Sequence, residues 1–253
     1  MKKYKYFVLT IFCCASFFVS YCFGQNLDVG TTKRFLDSYK NSDTNGKFEM
    51  IDQVSEITDI KEAPFLRRLL DSDIDELKVA AITALGNIPS NTDIPLLRQH
   101  LLNQNSLIRI VSAQALLKKG DNSGVEALSD ILMGSETFCS EIPLVLEALS
   151  LDNSEKSIGS LINFIKSGRC NSNYEGEALI SIGKIGGKES IAFLVNYLNT
   201  ISKNDINRTY AIQALCTSEV PAAIDHLKMI INDKDESEFN KSIIKTYLKE
   251  KKR

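Results

Sequence analysis

The sequence predicts an all-α fold, an α-solenoid of about six two-helix repeats, and three observations favour it. The first is a repeated segment, clearest from Lys78 to Leu85, from Arg109 to Leu116 and from Arg208 to Leu215. The second is a triplet of aliphatic residues that follows each copy at a fixed distance. The third is composition, because 43% hydrophobic residues with only 5 Pro and no Trp suit a helical chain better than a turn-rich β-sandwich.

The first helix of each repeat, helix A, is predicted to end near a small residue that recurs at a nearly constant period. This residue stands at positions 84, 115, 148, 181 and 214, so that successive copies are 31, 33, 33 and 33 residues apart. A period of this length is typical of two-helix repeat proteins. Small side chains at these positions allow neighbouring helices to approach closely.

The second helix, helix B, is predicted by aliphatic residues that lie 10, 13 and 17 positions after each small residue. The resulting i, i+3, i+7 spacing places the three side chains on one face of a helix. All five repeats contain it, at Ile94, Leu97 and Leu101; Val125, Leu128 and Leu132; Ile158, Leu161 and Ile165; Ile191, Leu194 and Leu198; and Ile224, Leu227 and Ile231. Turn residues such as Gly86 and Pro89 separate the two helices, and Asp93 is positioned to cap a helix B.

Segments on both sides of these repeats complete the predicted domain. A degenerate repeat has its helix A at about Phe48 to Ile57 and its helix B from Pro64. One further helix precedes it at Thr31 to Tyr39, and another, Glu238 to Lys251, has the charged outer side that shields the last apolar face of a repeat array. The predicted solenoid, residues 25–253, therefore consists of an N-terminal cap, the repeats and a C-terminal capping helix, at residues 25–47, 48–232 and 236–253.

Residues 1–24 are predicted to be a signal peptide. Three lysines among the first five residues are followed by an apolar run from Phe7 to Cys22 and by Gly24, which suits a cleavage site. An uncleaved anchor helix is one alternative, but the run is shorter than the roughly 20 residues that cross a bilayer. A lipoprotein is less favoured, because Tyr21 rather than a small residue precedes Cys22. The chain is expected to be secreted or periplasmic, with no membrane span after cleavage.

Cleavage near Gly24 would change both the charge and the cysteine count. It removes three of 30 basic residues and leaves 27 against 32 acidic ones, a formal charge of −5 that argues against binding to nucleic acid. Cys139, Cys170 and Cys216 would remain. Subtracting one 33-residue period brings Cys170 within two residues of Cys139, so these two form a candidate disulfide if loops close the gap between helices. Cys216 is expected to be a buried core thiol.

No catalytic motif stands out. Residues 25–253 contain no Gly-x-Ser-x-Gly elbow, Walker loop or Cys-x-x-Cys pair, and Gly183 to Gly187 falls at a turn between helices A and B. His100 and His226 stand at different register positions of helix B, which favours packing over metal binding. We therefore predict no catalytic residue, cofactor site or metal site, and we expect the chain not to be an enzyme.

The repeated pattern resembles the short HEAT-like repeats of the phycobilin-lyase type. It consists of a basic and an aliphatic residue, an Ala-x-x-Ala-Leu-Gly segment and then Ile-x-x-Leu-x-x-x-Leu, best seen from Lys78 to Leu101 and from Glu177 to Leu198. Two repeats depart from it, with Ile142 or Glu175 near the position of the basic residue. The resemblance covers roughly residues 48–232 and implies a right-handed α-solenoid of about six two-helix HEAT-like repeats.

The resemblance also implies a function, because HEAT-like proteins mostly bind other proteins. It points to a non-catalytic scaffold or adaptor in the cell envelope that binds a protein or peptide of unknown identity along its concave helix-B surface. Di-iron hydroxylases of this fold use His-Glu pairs, but here Leu101 follows His100 and Leu227 follows His226. A lyase-type or other enzyme-accessory factor that acts on a partner protein stays open as the alternative.

One register position of helix B, between its core residues, marks the predicted partner-binding surface, which we name the helix-B ladder. It is occupied by Arg68, Gln99, Asp130, Asn163, Asn196 and Met229. Five of the six side chains are polar or charged. Such a row fits either an ordinary solvated face or hydrogen bonding to an extended partner.

Overall fold

A computed structural model describes residues 29–134, 139–169, 172–218 and 220–251 of the protein. The regular structure in these ranges is helical throughout, with 14 α-helices, two short 3₁₀ helices and no strand. The all-α prediction is therefore confirmed. The predicted signal peptide, residues 1–24, lies outside the described residues.

The chain divides between Asp121 and Asn122 into two compact units, which we name unit 1 and unit 2. The α-helices of unit 1 are α1 (Val29–Asn41), α2 (Thr44–Ser55), α3 (Ala63–Leu69), α4 (Asp75–Asn87), α5 (Ile94–His100) and α6 (Ser106–Lys118). Those of unit 2 are α7 (Ser123–Met133), α8 (Ile142–Leu149), α9 (Glu155–Ser167), α10 (Ser172–Ile185), α11 (Gly187–Thr200), α12 (Ile206–Thr217), α13 (Pro221–Ile231) and α14 (Glu238–Glu250). The 3₁₀ helices, Ile60–Glu62 and Cys139–Glu141, precede α3 and α8.

The three A helices of unit 1 are α2, α4 and α6. They pack in succession, with α4 in contact with both of the others. The shorter helices α3 and α5 pack against α4 and α6, and α1 packs against α2 and α3. Leu66, Leu77 and Leu97 are fully buried between them, and burial of each such side chain stabilises the fold by about 1.5–3 kcal/mol. The rings of Phe35 and Phe65 meet edge to face, with centroids 5.3 Å apart, and attach α1 to this core.

Unit 2 contains two rows of helices. The A helices α8, α10, α12 and α14 pack against one another in succession, and the B helices α7, α9, α11 and α13 do the same. Helices that follow one another in the chain also pack together, as α10 does with α11 and α12 with α13. Each B helix therefore contacts both its own row and the row of A helices.

The helices lie where the periodicity predicts them. The expected helices Thr31–Tyr39, Phe48–Ile57 and Glu238–Lys251 correspond to α1, α2 and α14, whose ends differ by at most four residues from the expected ones. The middle residue of every aliphatic triplet has an exposed fraction of 0%, at Leu97, Leu128, Leu161, Leu194 and Leu227. A face repeated at i, i+3 and i+7 thus marks the buried side of each B helix.

Small residues permit the closest helix contacts in both units. A Cβ atom placed on Gly86 of α4 would lie 2.8 Å from the Cβ of Ala115 on α6. One placed on Gly183 of α10 would lie 2.7 Å from the Cα of Ala214 on α12 and would also meet the carbonyl oxygen of that residue. Each glycine stands two positions after a repeated small residue, so the Ala-Leu-Gly pattern is explained by packing between consecutive A helices.

The predicted cap at Asp93 is wrong for its side chain. Asp93 stands at the N-terminal cap of α5, but its carboxylate makes no capping hydrogen bond. It accepts instead from Arg67, whose Nε lies 2.5 Å from Oδ1 and whose Nη2 lies 3.2 Å from Oδ2. A guanidinium provides two donors in a fixed fork, and this bidentate pairing is stronger than a bond from one neutral amide.

Candidate functional site

Four residues of the helix-B ladder come together in unit 2, and we name these four the unit-2 ladder: Asp130 on α7, Asn163 on α9, Asn196 on α11 and Met229 on α13. All four side chains are exposed, and Met229 is 69% exposed. Because α7, α9, α11 and α13 pack in succession and the residues share one register position, the side chains follow one another along one face.

The polar members of the unit-2 ladder are not used within the fold. Among the described residues, none makes a side-chain hydrogen bond or ion pair with Asp130, Asn163 or Asn196. A carboxylate and two amides together offer both acceptors and donors to another molecule. The row can therefore form hydrogen bonds with a partner without breaking any bond that stabilises unit 2.

The other two residues of the helix-B ladder lie in unit 1. Gln99 on α5 is exposed, whereas Arg68 on α3 is half-buried and has an interaction of its own. The unit-2 ladder is accordingly the larger set of exposed ladder residues on successively packed helices.

A cavity of about 320 Å³ adjoins the end of the unit-2 ladder. It lies among α11, α12 and α13, and Met229, His226, Lys203 and Arg208 are among the residues that line it. Lys203 pairs with Asp233, another lining residue, so the charge of the ammonium is balanced inside the cavity. The cavity thus combines an apolar side chain of the ladder with the paired charges of Lys203 and Asp233.

The most deeply buried ion pair among the described residues of unit 2 borders this cavity through Arg208. Arg208 is 3% exposed and donates to Oε2 of Glu236 from Nε at 2.9 Å and from Nη2 at 2.7 Å. Its Nη1 donates to the carbonyl oxygen of Leu198 at 2.7 Å. Burial alone would raise the pKa of Glu236, but hydrogen bonds from Arg208 and Asn240 outweigh burial and lower it. All three guanidinium nitrogen atoms of Arg208 therefore donate hydrogen bonds within unit 2.

Hydrogen bonds to backbone carbonyls are common to the arginines at the basic position of the repeated pattern. In unit 1 the residue at the same pattern position, Arg109, donates from Nη1 to the carbonyl oxygens of Asn103 and Gln104. At both positions the guanidinium joins the start of an A helix to backbone carbonyls that precede it, as Arg208 does with Leu198. The sequence pattern showed the position of these arginines but not the acceptors that they bind.

Where the pattern departs from a basic residue, the structure contains a different contact. Glu175 of α10 accepts from the hydroxyl of Tyr197 at 2.7 Å and from the side-chain amide of Asn207 at 3.0 Å. Burial, followed by this carboxylate, raises the pKa of the Tyr197 phenol. An acidic side chain thus joins α10 to both α11 and α12, and the interruption of the basic series has a structural reason.

The two histidines lie in different units. His100 on α5 is half-buried, and burial together with the nearby charge of Lys78 lowers its pKa. His226 on α13 is also half-buried and lines the cavity beside Met229. Within the described ranges, no group of three or more His, Cys, Asp or Glu side chains is arranged to hold a metal ion.

The two described cysteines differ in oxidation state. Cys139 is engaged in a disulfide, whereas Cys170 lies outside the described residues, so the pairing of these two stays a prediction. Cys216 is a free thiol, and it is half-buried instead of fully buried as expected. It follows Leu215 at the edge of the packed face of α12. Burial nevertheless raises the pKa of its thiol to about 11.

Comparison with known proteins gives a structural likeness alone. No family model matches the chain, and no curated protein matches it. Among solved structures, the chain is similar to human deoxyhypusine hydroxylase in complex with glycerol, at 16% sequence identity and a TM-score of 0.41, over 88% of this chain and 84% of that one.

This comparison corrects one expectation. The chain was expected not to be an enzyme, but the similar structure is an enzyme, and that expectation is contradicted. A likeness with this TM-score carries no argument about the activity of the chain itself. Within the described ranges, none of the helices has both the length and the apolar character needed to cross a bilayer.

Proposed function

We propose that the chain acts as a scaffold or adaptor whose stacked helix pairs are HEAT-like repeats, and that it binds a protein partner through the unit-2 ladder. The observation that carries this proposal is the series Asp130, Asn163 and Asn196, three exposed polar side chains in one register on neighbouring packed helices. Met229 continues the row with an exposed apolar side chain, and methionine adapts readily to partner surfaces.

The spacing of the ladder favours one kind of partner. Packed helices are about 8–10 Å apart, so equivalent side chains recur at about this distance. A polyproline II segment has three residues per turn and rises about 3.1 Å per residue, so it presents the same side about every 9 Å. We therefore infer that the partner segment is extended and polyproline II-like, with every third residue facing one member of the ladder.

The test compares capture of envelope proteins by matched variants. Asp130→Lys, Asn163→Lys and Asn196→Lys are combined in one protein, and Glu147→Lys with Glu177→Lys on exposed A-helix positions gives the same change in formal charge in another. Partners recovered with the wild type and the A-helix variant, but at least about tenfold depleted with the ladder variant, would support the proposal. Equal recovery with all three proteins would show that the ladder is the wrong surface.

We also propose that the protein is secreted or periplasmic. The support is the sequence of residues 1–24, with its early lysines, short apolar run and Gly24. N-terminal sequencing of the protein isolated from its native cells should show Gln25 as the first residue. A chain that keeps its leading residues would overturn the proposal.

The second candidate is an enzyme-accessory factor that acts on a bound partner protein. The cavity beside Met229 favours it, because a partner on the ladder would lie next to Lys203 and His226. His226→Leu separates the two candidates. A variant that still captures the partner but no longer supports a chemical change in it would favour the accessory factor, whereas an unchanged partner favours the scaffold.

A further inference from the structure

A second cavity, in unit 1, has a lining of a different kind. It has a volume of about 380 Å³ and lies where α2 ends and the 3₁₀ helix Ile60–Glu62 leads into α3. Its lining consists of Gln53, Glu56, Ile57, Thr58, Asp59 and Glu62. Every charged residue of this lining is acidic, in contrast to the balanced charges beside Met229.

Two oxygen atoms of this lining are buried without a hydrogen-bond partner. They are Oε1 of Gln53 and Oε2 of Glu62, and Glu62 is only 7% exposed. An unmade hydrogen bond of this kind costs roughly 1–3 kcal/mol, so both atoms gain from a donor that enters the cavity. Neither is reached by a lysine or arginine side chain of the described residues.

The carboxylate of Asp59, close to Glu62, makes the cavity more favourable for a positive charge. Asp59 accepts from the backbone N–H of Lys61 at 2.9 Å, which fixes its carboxylate at the start of the 3₁₀ helix. Burial, and secondly the charge of Asp59, raise the pKa of Glu62. A cation in the cavity would counteract both effects, because it would satisfy the buried oxygen and offset the charge of Asp59.

We propose that this cavity binds an organic cation that donates hydrogen bonds, a guanidinium or a protonated amine, to Gln53 and Glu62. A guanidinium or ammonium carries several N–H donors, so a single group can supply donors to both oxygens. A metal ion fits less well, because within the described ranges no three His, Cys, Asp or Glu side chains, those of this lining included, are arranged to hold one. The proposal concerns unit 1 alone and does not depend on partner binding by the unit-2 ladder.

The same chemistry has two sources, a free small molecule or an Arg or Lys side chain of another protein. Both can be probed by nuclear magnetic resonance titration of the protein, with the side-chain amide of Gln53 and the backbone amide of Lys61 as reporters. One series adds ethylguanidinium. A second adds a short capped peptide with a single arginine, and its control peptide contains citrulline, which has a similar shape but no charge. A third adds Ca²⁺.

We expect ethylguanidinium, the arginine peptide or both to shift the two reporter resonances saturably, and the citrulline peptide to leave them unchanged. Saturation by the peptide alone identifies a protein side chain as the source, and saturation by ethylguanidinium alone identifies a small molecule. Glu62→Gln and Gln53→Leu should each weaken the binding at least about tenfold, because the first removes the charge opposite the cation and the second removes a hydrogen bond from it. Asp52→Asn, which removes an exposed charge on α2 outside the cavity, should not.

Three results would overturn the proposal. They are the absence of any saturable shift with the cationic probes, the same affinity in Glu62→Gln as in the wild type, and saturation of the reporters by Ca²⁺ but by neither organic cation. Circular dichroism of the variants checks that they are folded, and Gln53→Leu keeps the test valid if Glu62→Gln alters the 3₁₀ helix.

Discussion

Glu236 in unit 2 and Glu62 in unit 1 are buried to similar depth, with exposed fractions of 4% and 7%, yet their surroundings are opposite. Glu236 accepts from Arg208 through two nitrogen atoms and from Asn240 at 2.7 Å, and its pKa is lowered. Glu62 keeps an oxygen without a partner, and its pKa is raised. The difference shows that the partners of a buried carboxylate, and not its depth, decide whether its charge stabilises the fold.

The strongest test of this comparison removes the cation from the paired site. Arg208→Ala leaves Glu236 buried without its main partner, and we expect it to lower the free energy of unfolding by about 3–5 kcal/mol. Denaturant unfolding followed by circular dichroism measures the change. The control is Lys156→Ala, which breaks an exposed pair with Glu126 and should cost less than about 1 kcal/mol. Equal effects of the two variants would mean that Lys203, 3.9 Å from Glu236, replaces the arginine.

A second test compares helix packing in the two units. Gly183→Ala places a methyl group against the carbonyl oxygen of Ala214 and 2.7 Å from the hydroxyl oxygen of Thr217, and we expect a loss of about 1–3 kcal/mol. Gly86→Ala meets the Cβ and Cα of Ala115 at 2.8 and 2.9 Å, while the carbonyl oxygen of Ala115 is 3.8 Å away, and it should cost less. Melting temperatures of both variants check the order.

Gly159→Ala is the control for this pair. Gly159 lies inside α9 with no atom within 4 Å of a Cβ placed on it. Alanine should therefore stabilise unit 2 by roughly 0.5–1 kcal/mol through lower backbone entropy in the unfolded chain. A stable Gly183→Ala variant would show that α10 and α12 can move apart without loss.

A third test uses pH, because the two carboxylates have pKa shifts of opposite sign. The pKa of Glu236 lies below its ordinary value of 4.5 in the folded protein, so its stabilisation is complete above pH 4.5 and is lost as the pH falls below it. The pKa of Glu62 lies above 4.5 when folded, so ionising it costs stability as the pH rises from 4.5 through the raised value. Melting temperatures measured from about pH 3 to about pH 8 test both groups. Glu236 should lower the melting temperature as the pH falls below 4.5, and Glu62 should lower it as the pH rises above 4.5.

The smallest expected effect comes from neutralising the unpaired site. Glu62→Gln removes the charge but leaves a buried polar group, so we expect a gain of at most about 1 kcal/mol near neutral pH. The informative result is the slope: the decline in stability above pH 4.5 should be flatter than in the wild type. A clear loss of stability near neutral pH would contradict the unpaired state of Glu62.

The helices could be predicted from the sequence because the signal is local and repeated. An aliphatic face recurs within eight residues, and five copies in register locate every B helix from α5 to α13. The unit-2 ladder follows from the same register, since a position between core residues is exposed whenever the helix packs on one side. The polar residues of the unit-2 ladder are exposed, whereas Arg68 of the helix-B ladder is half-buried, and what binds the exposed ones stays a proposal.

The two buried carboxylates could not be predicted in this way. Glu236 lies 28 positions after Arg208, in a segment where the repeated pattern has ended. Glu62 lies in the degenerate first repeat, between the predicted helix Phe48–Ile57 and Pro64, and the residue one repeat later, Asp93, is also acidic but forms an ion pair that Glu62 lacks. The ion pair of Asp93 with Arg67 also escaped prediction, because it joins α3 to the residue before α5 and the repeated pattern does not give the partner of a side chain.

The half-buried thiol of Cys216 has a consequence for oxidative folding. With a pKa of about 11, roughly one such thiol in ten thousand is ionised near pH 7. Thiolates and not thiols attack disulfides, so the folded chain contains a very weak internal nucleophile against the bond at Cys139. Exchange of the Cys216 thiol with that bond is therefore expected to be slower once α12 has packed than in the unfolded chain, where the thiol is not buried.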